Sequence, residues 1–494
     1  MATVLSTLSR IIAALVLAFA LAACGKGDSD RPVEVVVIGA PGAAFIAGPR
    51  LSPAAQLLRN ATLEGLVGID EQGRVIPALA DRWIVTDDGQ SYIFRLRDGT
   101  WSDGSPITAD SAAAALRRAL TPLRGTALGR DLGDLSQIRV MAGRVIELRL
   151  AQPVPDLLQL LAQPELGLAY RGRGNGPMAL RRNGDTARLI PIAPEKRGLP
   201  AEDGWNGRFR ALVLRSLPGQ AAFAAFDAGE ADVVLGGGIE QFPRTQAAGI
   251  SRGAIHLDPV LGLFGLAVVR ADGFLAAPEN REAIGMAIDR DSLIAPFGVG
   301  GWTPTTRVIA PGLTGDTGLT KERWLSLSLT QRRSEAGARV TRAKKSGRAL
   351  PRLRIALPAG PGSDLLFSRI AADLAAIGLD TARVGENDPA DLRLLDMVAR
   401  YARADWFFNQ LACANRAELC SPAADARAEE ARLATAPATR AAFYAEAEAE
   451  LTSSNVYIPF GPPVRWSLVR GDIAGFAENR WGFHPLMPLA TRPK

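Results

Sequence analysis

The sequence has few of the residues on which metal and thiol chemistry depends. Its 494 residues include two histidines and three cysteines, which argues against a His-rich or Cys-rich metal site. The 57 basic and 51 acidic side chains are spread along the chain, so the charge shows no concentrated footprint for nucleic acid. Hydrophobic residues make up 47% of the chain, which is enough for large packed cores and too many for a disordered protein.

Signatures of common enzyme classes are also missing. No HExxH motif or Walker phosphate loop occurs, and no serine stands three residues before a lysine. No motif links His256 or His484 to a catalytic partner, so each is expected to be a packed or surface imidazole. The sequence therefore predicts no catalytic residue, no metal site and no cofactor. A hydrolase remains a disfavoured alternative.

Long hydrophobic runs are absent except near the start of the chain. Arg10 precedes an unbroken apolar run, Ile11 to Ala23, which is shorter than the ~20 residues needed to span a membrane but suits a signal peptide. The run ends in Leu21-Ala22-Ala23-Cys24, which looks like a bacterial lipobox whose cysteine becomes the lipid attachment point. We predict a lipoprotein signal peptide at residues 1–23 and a flexible tether at 24–31. The alternative is an ordinary secretory signal with a coincidental cysteine.

The other two cysteines are Cys413 and Cys420. Export would place them in an oxidising compartment, where a short loop between two cysteines is easily closed. We predict that this pair forms a disulfide that closes a loop. Two independent buried thiols are the alternative.

Hydrophobic patterns predict an α/β protein that opens with a strand, Val33 to Ile38. Thr108 is predicted to cap a helix whose alanines and leucines share one face. Two strand–helix–strand units follow, and each implies that its two strands pair in parallel. The first consists of a strand from Arg210 to Leu217, a helix from Gly219 to Gly229 and a strand from Ala231 to Leu235. The second consists of a strand from Leu353 to Leu357, a helix from Ser363 to Ile377 and a strand from Asp380 to Val384. Between them lie a predicted strand, Leu263 to Val269, and a predicted helix, Glu279 to Ile294. Two separated units indicate two lobes with a cleft, where small ligands usually bind.

The segment from Arg332 to Arg354 holds nine basic residues against Glu335 alone. Contact with an anion or a membrane surface is one interpretation. A solvated helix and linker is the favoured one, because the charges have no aromatic residues among them. We assign no site to this segment.

One long stretch carries a family resemblance. It runs from Gly65-Leu66-Val67 through Val75-Ile76-Pro77-Ala78-Leu79-Ala80-Asp81-Arg82-Trp83 and TDDGQSYIFRLRDGTWSDGSPITADS. This resembles the family 5 extracellular solute-binding proteins, the peptide- and nickel-binding receptors of ABC importers. Four shorter matches follow in order: Gly174-Asn175-Gly176-Pro177, Gly229-Glu230-Ala231-Asp232-Val233, Ala287-Ile288-Asp289-Arg290 and Ile458-Pro459-Phe460. The resemblance covers essentially the whole chain after the tether.

The resemblance implies a two-lobed periplasmic-binding-protein fold with mixed sheets, a hinge and an extra domain on the N-terminal lobe. We place lobe I at 32–60, 166–260 and 470–494, the extra domain at 61–165, and lobe II at 261–469. Ligand would be enclosed between the lobes and delivered to a permease. Closure desolvates a ligand and so strengthens each hydrogen bond and charge pair.

The expected binding loop departs from the family's dipeptide receptors. The stretch Arg400 to Phe408 followed by Cys413 matches the family's disulfide-bearing loop and supports the Cys413–Cys420 bridge. In that register Arg400 replaces the acid that grips a peptide amino terminus. The arginine expected near Leu357 to Ala359 for the carboxylate is missing too. A free dipeptide would lose two charged anchors, each worth ~2–5 kcal/mol when buried.

Five residues are therefore candidates for ligand binding. Arg400 and Arg403 would receive a carboxylate or phosphate, with Trp406 stacking and Asn409 donating a hydrogen bond. Alternatively, Arg400 pairs with a nearby acid such as Asp405 and only braces the loop. A shift of register by several residues would bring Asp405 itself into the cleft.

The leading prediction is a lipid-anchored periplasmic receptor that captures a peptide-like solute for an ABC permease complex in the inner membrane. Its expected partners are that solute, the permease and, through the lipid, a membrane; we expect a monomer that binds no nucleic acid. The alternative is a lipoprotein scaffold or sensor that retains the binding fold without feeding an importer.

Overall fold

The structure is a computed structural model that describes residues 31–247, 249–346, 350, 352–416 and 418–493. The predicted signal peptide, Cys24 and all of the predicted tether except Arg31 lie outside the described residues. Within these ranges, no helix combines the length and the apolar character needed to cross a membrane.

A seven-stranded mixed sheet forms the first lobe. Its central strand, Val33–Ile38, is buried on both faces and pairs in parallel with a neighbour on each side, as is usual for a continuous apolar strand. The order of strands across the sheet is Met178–Asn183, Thr186–Pro191, Leu212–Leu217, Val33–Ile38, Val233–Gly237, Arg465–Val469 and Ile255–Asp258.

A five-stranded mixed sheet forms the second lobe. Its order is Thr381–Gly385, Leu353–Leu357, Leu392–Val398, Gly262–Val268 and Tyr457–Gly461. Among the described strands, the chain passes between the two large sheets twice, through the short connections 259–261 and 462–464. Two lobes joined in this way confirm the predicted two-lobed α/β fold.

A smaller antiparallel sheet lies within residues 61–165, the predicted extra domain. Its strands are Ala80–Val85, Ser91–Leu96, Val145–Leu150 and Leu135–Val140, and Val67–Ile69 pairs with Val75–Pro77 beside it. A short strand pair, Ala169–Tyr170 with Arg173–Gly174, follows. Buried side chains of this region share one apolar core with second-lobe residues such as Leu263 and Phe407. The extra domain therefore packs against the second lobe along one side of the cleft.

Helices cover the sheets and connect their strands. They are Pro53–Thr62, Ala109–Leu120, Ala127–Asp131, Leu157–Leu161, Trp205–Arg208, Gly219–Asp227, Pro243–Ala247, Pro278–Ala287, Arg290–Ile294, Leu329–Lys345, Pro361–Ala375, Ala404–Leu411, Pro422–Leu433, Pro437–Ser454 and Leu486–Leu489. Thr108 caps the helix Ala109–Leu120 as predicted, through a reciprocal capping box with Ser111. The basic helix Leu329–Lys345 has three buried side chains. Arg333 and Arg339 pair with the buried acids Asp373 and Glu282 of neighbouring helices, so the helix is solvated only in part and the favoured interpretation of this segment needs that correction.

Three sequence-based expectations are corrected. The strands Leu212–Leu217 and Val233–Gly237 are parallel but not neighbours, because Val33–Ile38 lies between them and pairs with both. The helix expected from Glu279 to Ile294 is broken at Ile288, whose backbone is extended, and restarts under an Asp289 cap. Strand Arg465–Val469 belongs to the first sheet, so the lobe boundary drawn after residue 469 falls too late. In contrast, Leu353–Leu357 and Thr381–Gly385 pair directly in parallel as predicted.

Candidate functional site

Two cavities border the segment 400–420, which we call the binding loop. The first, the cleft cavity, has a volume of about 350 Å³ and is open to solvent. It is bounded by residues 49–51 of the first lobe, residues 126–128 of the extra domain and parts of the second lobe between 395 and 418. The second, the side cavity, encloses about 150 Å³ between the extra domain and second-lobe helices. Only the cleft cavity has walls from all three parts of the fold.

Arg400 is the one predicted ligand residue that lines the cleft cavity. It follows strand Leu392–Val398 and reaches across to the other side of the cleft, where its Nη2 lies 3.3 Å from the Oε1 of Glu165. Glu165 is almost fully buried and also accepts a hydrogen bond from Gln56. The predicted alternative that Arg400 pairs with an acid is therefore realised, but by Glu165 and not by Asp405. Its Nη1 is buried and has no hydrogen-bond partner among the described residues.

The predicted disulfide between Cys413 and Cys420 is confirmed. It closes a short loop that contains Arg416, one of the residues lining the cleft cavity. The Arg416 side chain is 4% exposed, and none of its three guanidinium nitrogens has a hydrogen-bond partner in the described structure. Its nearest acid is Glu418, with 3.7 Å between Nε and Oε2. Burial accordingly lowers the pKa of this guanidinium.

Three other predicted ligand residues lie at the side cavity. Arg403 Nε is 3.2 Å from an Asp405 carboxylate oxygen and 3.5 Å from one of Asp156. Asn409 donates to the carbonyl oxygen of Ala127 at 3.0 Å and to the Asp131 carboxylate. Arg403 and Asn409 therefore join the second lobe to the extra domain, through Asp156 and through Ala127 and Asp131, whereas Asp405 pairs with Arg403 within the second lobe.

Asp131 is the most perturbed acid of this contact. Its Oδ1 accepts a 2.6 Å hydrogen bond from the Tyr401 hydroxyl, while its Oδ2 is buried and without a partner among the described residues. Burial raises the pKa of Asp131 to about 7, although the hydrogen bonds from Tyr401 and Asn409 act in the opposite direction. The contact between extra domain and second lobe therefore contains a carboxyl that titrates near neutral pH.

Trp406 does not border either cavity. It is 1% exposed and its ring meets Phe407 edge to face, 5.0 Å between centroids. On the helix Ala404–Leu411, Ala404, Phe407, Phe408 and Leu411 are also buried. The structure therefore places the indole in the core, away from the position in which it would stack on a ligand.

The two histidines are packed or at the surface, as expected. His484 is buried with its Nε2 3.1 Å from an Asp258 oxygen, and His256 is partly exposed beside Glu478. In the portion of the chain that is described, no three His, Cys, Asp or Glu side chains converge to hold a metal ion.

Sequence reasoning missed several residues that shape the site. Arg50 and Arg416 line the cleft cavity, and Glu165, Asp131 and Tyr401 make its cross-cleft or side contacts. Of these residues, Arg416 could have been identified from the sequence, because it stands between the two cysteines of the predicted loop. Glu165 and Asp131 could not, because each lies more than 200 residues from its partner in the chain.

Comparison with known families gives one match over most of the chain. Residues 74–185 and 202–411 match the family described as bacterial extracellular solute-binding proteins, family 5 Middle.

Curated relatives match over shorter stretches. The probable deoxycholate-binding periplasmic protein YgiS of Escherichia coli K12 is 37% identical over 131 residues, 23% of this chain and 24% of that protein. The glutathione-binding protein GsiB of Escherichia coli O1:K1 is 24% identical over 276 residues, 52% of each chain. The chain thus spans about half, or less, of the length of these relatives.

Solved structures match over nearly the whole length. Haemophilus influenzae OppA in complex with RPPGFSPFR has a TM-score of 0.78 at 18% identity, covering 94% of this chain and 100% of OppA. The murein tripeptide binding protein MppA of Escherichia coli has the same score and identity, covering 94% and 99%. NikA from Brucella suis, in complex with Fe(III)-EDTA, has a TM-score of 0.72 at 20% identity, covering 93% and 100%. At this level of identity the likeness shows the fold.

Proposed function

The chain belongs to the bacterial extracellular solute-binding proteins of family 5, and from this premise we propose that it is the substrate-binding receptor of an ABC importer. It captures a small peptide-like solute in the cleft cavity and presents it to a permease complex in the inner membrane. The observation that carries the proposal is the cleft cavity itself, which has walls from the first lobe, the extra domain and the second lobe.

The size and lining of the cleft cavity suit a small polar solute. A volume of about 350 Å³ falls within the range of ~300–1,000 Å³ that is usual for small-molecule sites. Thr126, Gln410 and Asn415 supply hydrogen-bonding groups on its walls, and Arg400 supplies charge. Of the five predicted ligand residues we retain Arg400 in direct contact with solute. The other four position the binding loop.

Closure about the two connections 259–261 and 462–464 would enclose the solute. In this structure the Arg400–Glu165 ion pair and the Tyr401–Asp131 hydrogen bond join the second lobe to the extra domain, and we expect opening of the cleft to break the ion pair. A solute that binds the closed form better than the open form shifts the population toward closure. The permease then distinguishes loaded from empty receptor by this shape.

The predicted lipid on Cys24 would keep the receptor at a membrane surface on the periplasmic side, next to its permease. The tether at 24–31 would allow the two-lobed body to reach the permease. In this account the receptor works as a monomer and without a cofactor.

The relatives' own ligands by name, deoxycholate and glutathione, are both carboxylates at neutral pH, which supports an acidic solute for this chain.

A non-transport scaffold or sensor is the second candidate. The observation that favours it is the loss of both dipeptide anchors, since Arg400 stands where the family has an acid and no arginine lies at 357–359. A receptor differs from a scaffold in that its cleft must be able to open, fill and close.

Solute retention tests the receptor function. Full-length protein purified from its own cell envelope is examined by native mass spectrometry for a non-covalent small molecule, and its melting temperature is measured before and after removal of that molecule. We expect a retained solute that raises the melting temperature. Repeated isolation without any solute, and no stabilisation by solutes from the periplasm, would favour the scaffold.

A matched pair of variants locates the solute. Gln410→Trp places a bulky ring in the cleft cavity, and Gln152→Trp places the same ring in the side cavity. We expect the first to abolish retention and the second to preserve it. The reverse pattern would assign the solute to the side cavity and contradict the proposed site.

A further inference from the structure

We propose that the outer face of the four-stranded sheet in the extra domain, which we call the basic face, docks on a membrane surface that contains anionic phospholipids. This docking rests on the predicted lipid tether, which is part of the proposed receptor function, and it goes beyond that function by naming the surface that meets the membrane. Three features of the basic face support it: its arginines, the bound state of its one central acid, and an exposed aliphatic side chain.

The register of the sheet divides its side chains between two faces, because alternate residues of a strand point to opposite sides. One set is buried in the core and includes Phe94, Ile146 and Leu148. The other set forms cross-strand neighbours on the outer face and includes Arg82, Ile84, Arg95, Arg139, Glu147 and Arg149. Residues that are up to 67 positions apart in the chain are thereby gathered on one surface.

The arginines of the basic face are all exposed, whereas its central acid, Glu147, is occupied. Its side chain is 7% exposed, and its two oxygens lie 3.0 Å from Arg139 Nη1 and 3.0 Å from Arg149 Nε. The Ser91 hydroxyl also donates to Glu147, at 2.8 Å. The hydrogen bonds from Ser91 and Arg149 lower the pKa of Glu147, so this carboxylate stays ionised and holds two arginines in place on the face.

Two further acids lie at the border of the basic face. Asp81 precedes Arg82 in the chain, and its Oδ1 is 4.0 Å from Arg82 Nε. Asp88 lies in the turn after the edge strand, where it accepts hydrogen bonds from the Thr86 hydroxyl and the Gln90 N–H. The excess of positive charge is therefore greatest at the centre of the face and smaller at its ends.

An exposed aliphatic side chain accompanies the arginines. Ile84 is 65% exposed and belongs to none of the apolar cores of the described residues. In the register it lies opposite Ile93, which is partly exposed. Arginine donates to phosphate oxygens, and aliphatic side chains enter the boundary between lipid headgroups and acyl chains. A face that combines both suits a phospholipid surface.

The predicted tether favours a membrane over an acidic protein as the partner. The eight residues from Cys24 to Arg31 span at most ~28 Å when extended. Arg31 is held to the first lobe by the Asp232 carboxylate, 3.0 Å from its Nη1. A body kept this close to a bilayer meets lipid headgroups continually, and every arginine near an anionic surface strengthens the contact. Docking would restrict the orientations that the tethered receptor adopts beside its permease.

Arginine labelling on vesicles tests the docking. Full-length protein purified from its own cell envelope is reconstituted with vesicles of phosphatidylcholine alone, or of phosphatidylcholine with phosphatidylglycerol. The rate at which phenylglyoxal modifies each arginine is then measured by mass spectrometry. We expect Arg82 and Arg95 to react about fivefold more slowly on the vesicles that contain phosphatidylglycerol, and high salt to remove this protection. Arg181 of the first lobe and Arg342 of the second lobe are exposed and should react equally on both.

Matched variants separate docking from a general effect of charge. Arg82→Gln combined with Arg95→Gln removes two exposed cations that hold no buried acid, so the melting temperature should not change. The two remaining arginines of the basic face should then lose their protection on vesicles with phosphatidylglycerol. Arg181→Gln combined with Arg342→Gln removes the same charge from other surfaces and should leave all four arginines of the basic face protected.

Four results would overturn the docking. They are equal labelling of the basic face on both kinds of vesicle, protection of Arg181 or Arg342 in its place, protection that survives in the Arg82→Gln, Arg95→Gln variant, and protection that occurs in native envelopes but on neither kind of vesicle. The last would assign the face to a protein partner. Solute retention is measured without vesicles, so each of these results leaves the receptor function standing, and failure to retain a solute would leave the labelling result unaffected.

Discussion

The ion pair across the cleft gives a quantitative prediction about closure. Arg400→Gln removes the cation that faces Glu165, a side chain that is 2% exposed and keeps only Gln56 as a hydrogen-bond donor. Removing one partner of a fully buried pair costs ~3–5 kcal/mol. Because Arg400 is itself 29% exposed, we expect the lower end, about 3 kcal/mol less stability and a melting temperature about 3 °C lower for a chain of this length.

A double-mutant cycle isolates the pair. Glu165→Gln leaves a partly exposed arginine and should lower the free energy of unfolding by about 1 kcal/mol. The double variant should be about 2 kcal/mol more stable than the sum of the two single losses implies. Urea unfolding of the four proteins measures each term. A coupling energy near zero would mean that Arg400 and Glu165 do not meet in solution, and the ion pair between the second lobe and the extra domain would be refuted.

Three further predictions concern the contacts that surround the cleft. The pKa of Asp131 is raised to about 7 in the folded protein, so the stability that its protonated carboxyl contributes is complete below about pH 4 and is lost as pH rises toward 7. Asp131→Asn should therefore remove up to about 4 kcal/mol of the pH dependence of the unfolding free energy. Urea unfolding that changes equally in both proteins between pH 5 and pH 8 would contradict this prediction. Replacing Cys413 and Cys420 by serine should lower the free energy of unfolding by about 2 kcal/mol, as measured by urea unfolding; unchanged stability would contradict a stabilising bridge in this loop. Gly362→Ala places a Cβ 1.9 Å from a backbone carbonyl oxygen of the first lobe and should lower the melting temperature. In Gly285→Ala the added Cβ meets nothing closer than 3.8 Å, so this variant should melt like the parent protein. Equal changes in the melting temperatures of the two variants would contradict this packing.

Much of the fold could be predicted because its determinants are local. Thr108 followed by Ser111 specifies a capped helix, and the apolar strand Val33–Ile38 specifies a buried central position. The family motifs also have physical reasons. In the match at 287–290, Arg290 donates to the backbone of Pro459 in the match at 458–460. In the match at 229–233, the Asp232 carboxylate accepts the backbone N–H of Glu34.

The site was less predictable because its contacts join distant parts of the chain. A basic residue at 400 indicates that an anion or an acid faces it, but nothing local selects Glu165, which lies 235 residues earlier. The burial of Trp406 was visible in principle, since Phe407 and Leu411 lie on the apolar side of the same helix. The burial of Arg416 without a hydrogen-bond partner among the described residues could not be predicted, because it depends on how the loop between the two cysteines folds.

A crystal structure of the full-length protein isolated with its own solute would show where the solute binds. We predict density for a small molecule in the cleft cavity, next to Arg400. A solute bound in the side cavity, or one bound outside both cavities, would contradict the proposed site.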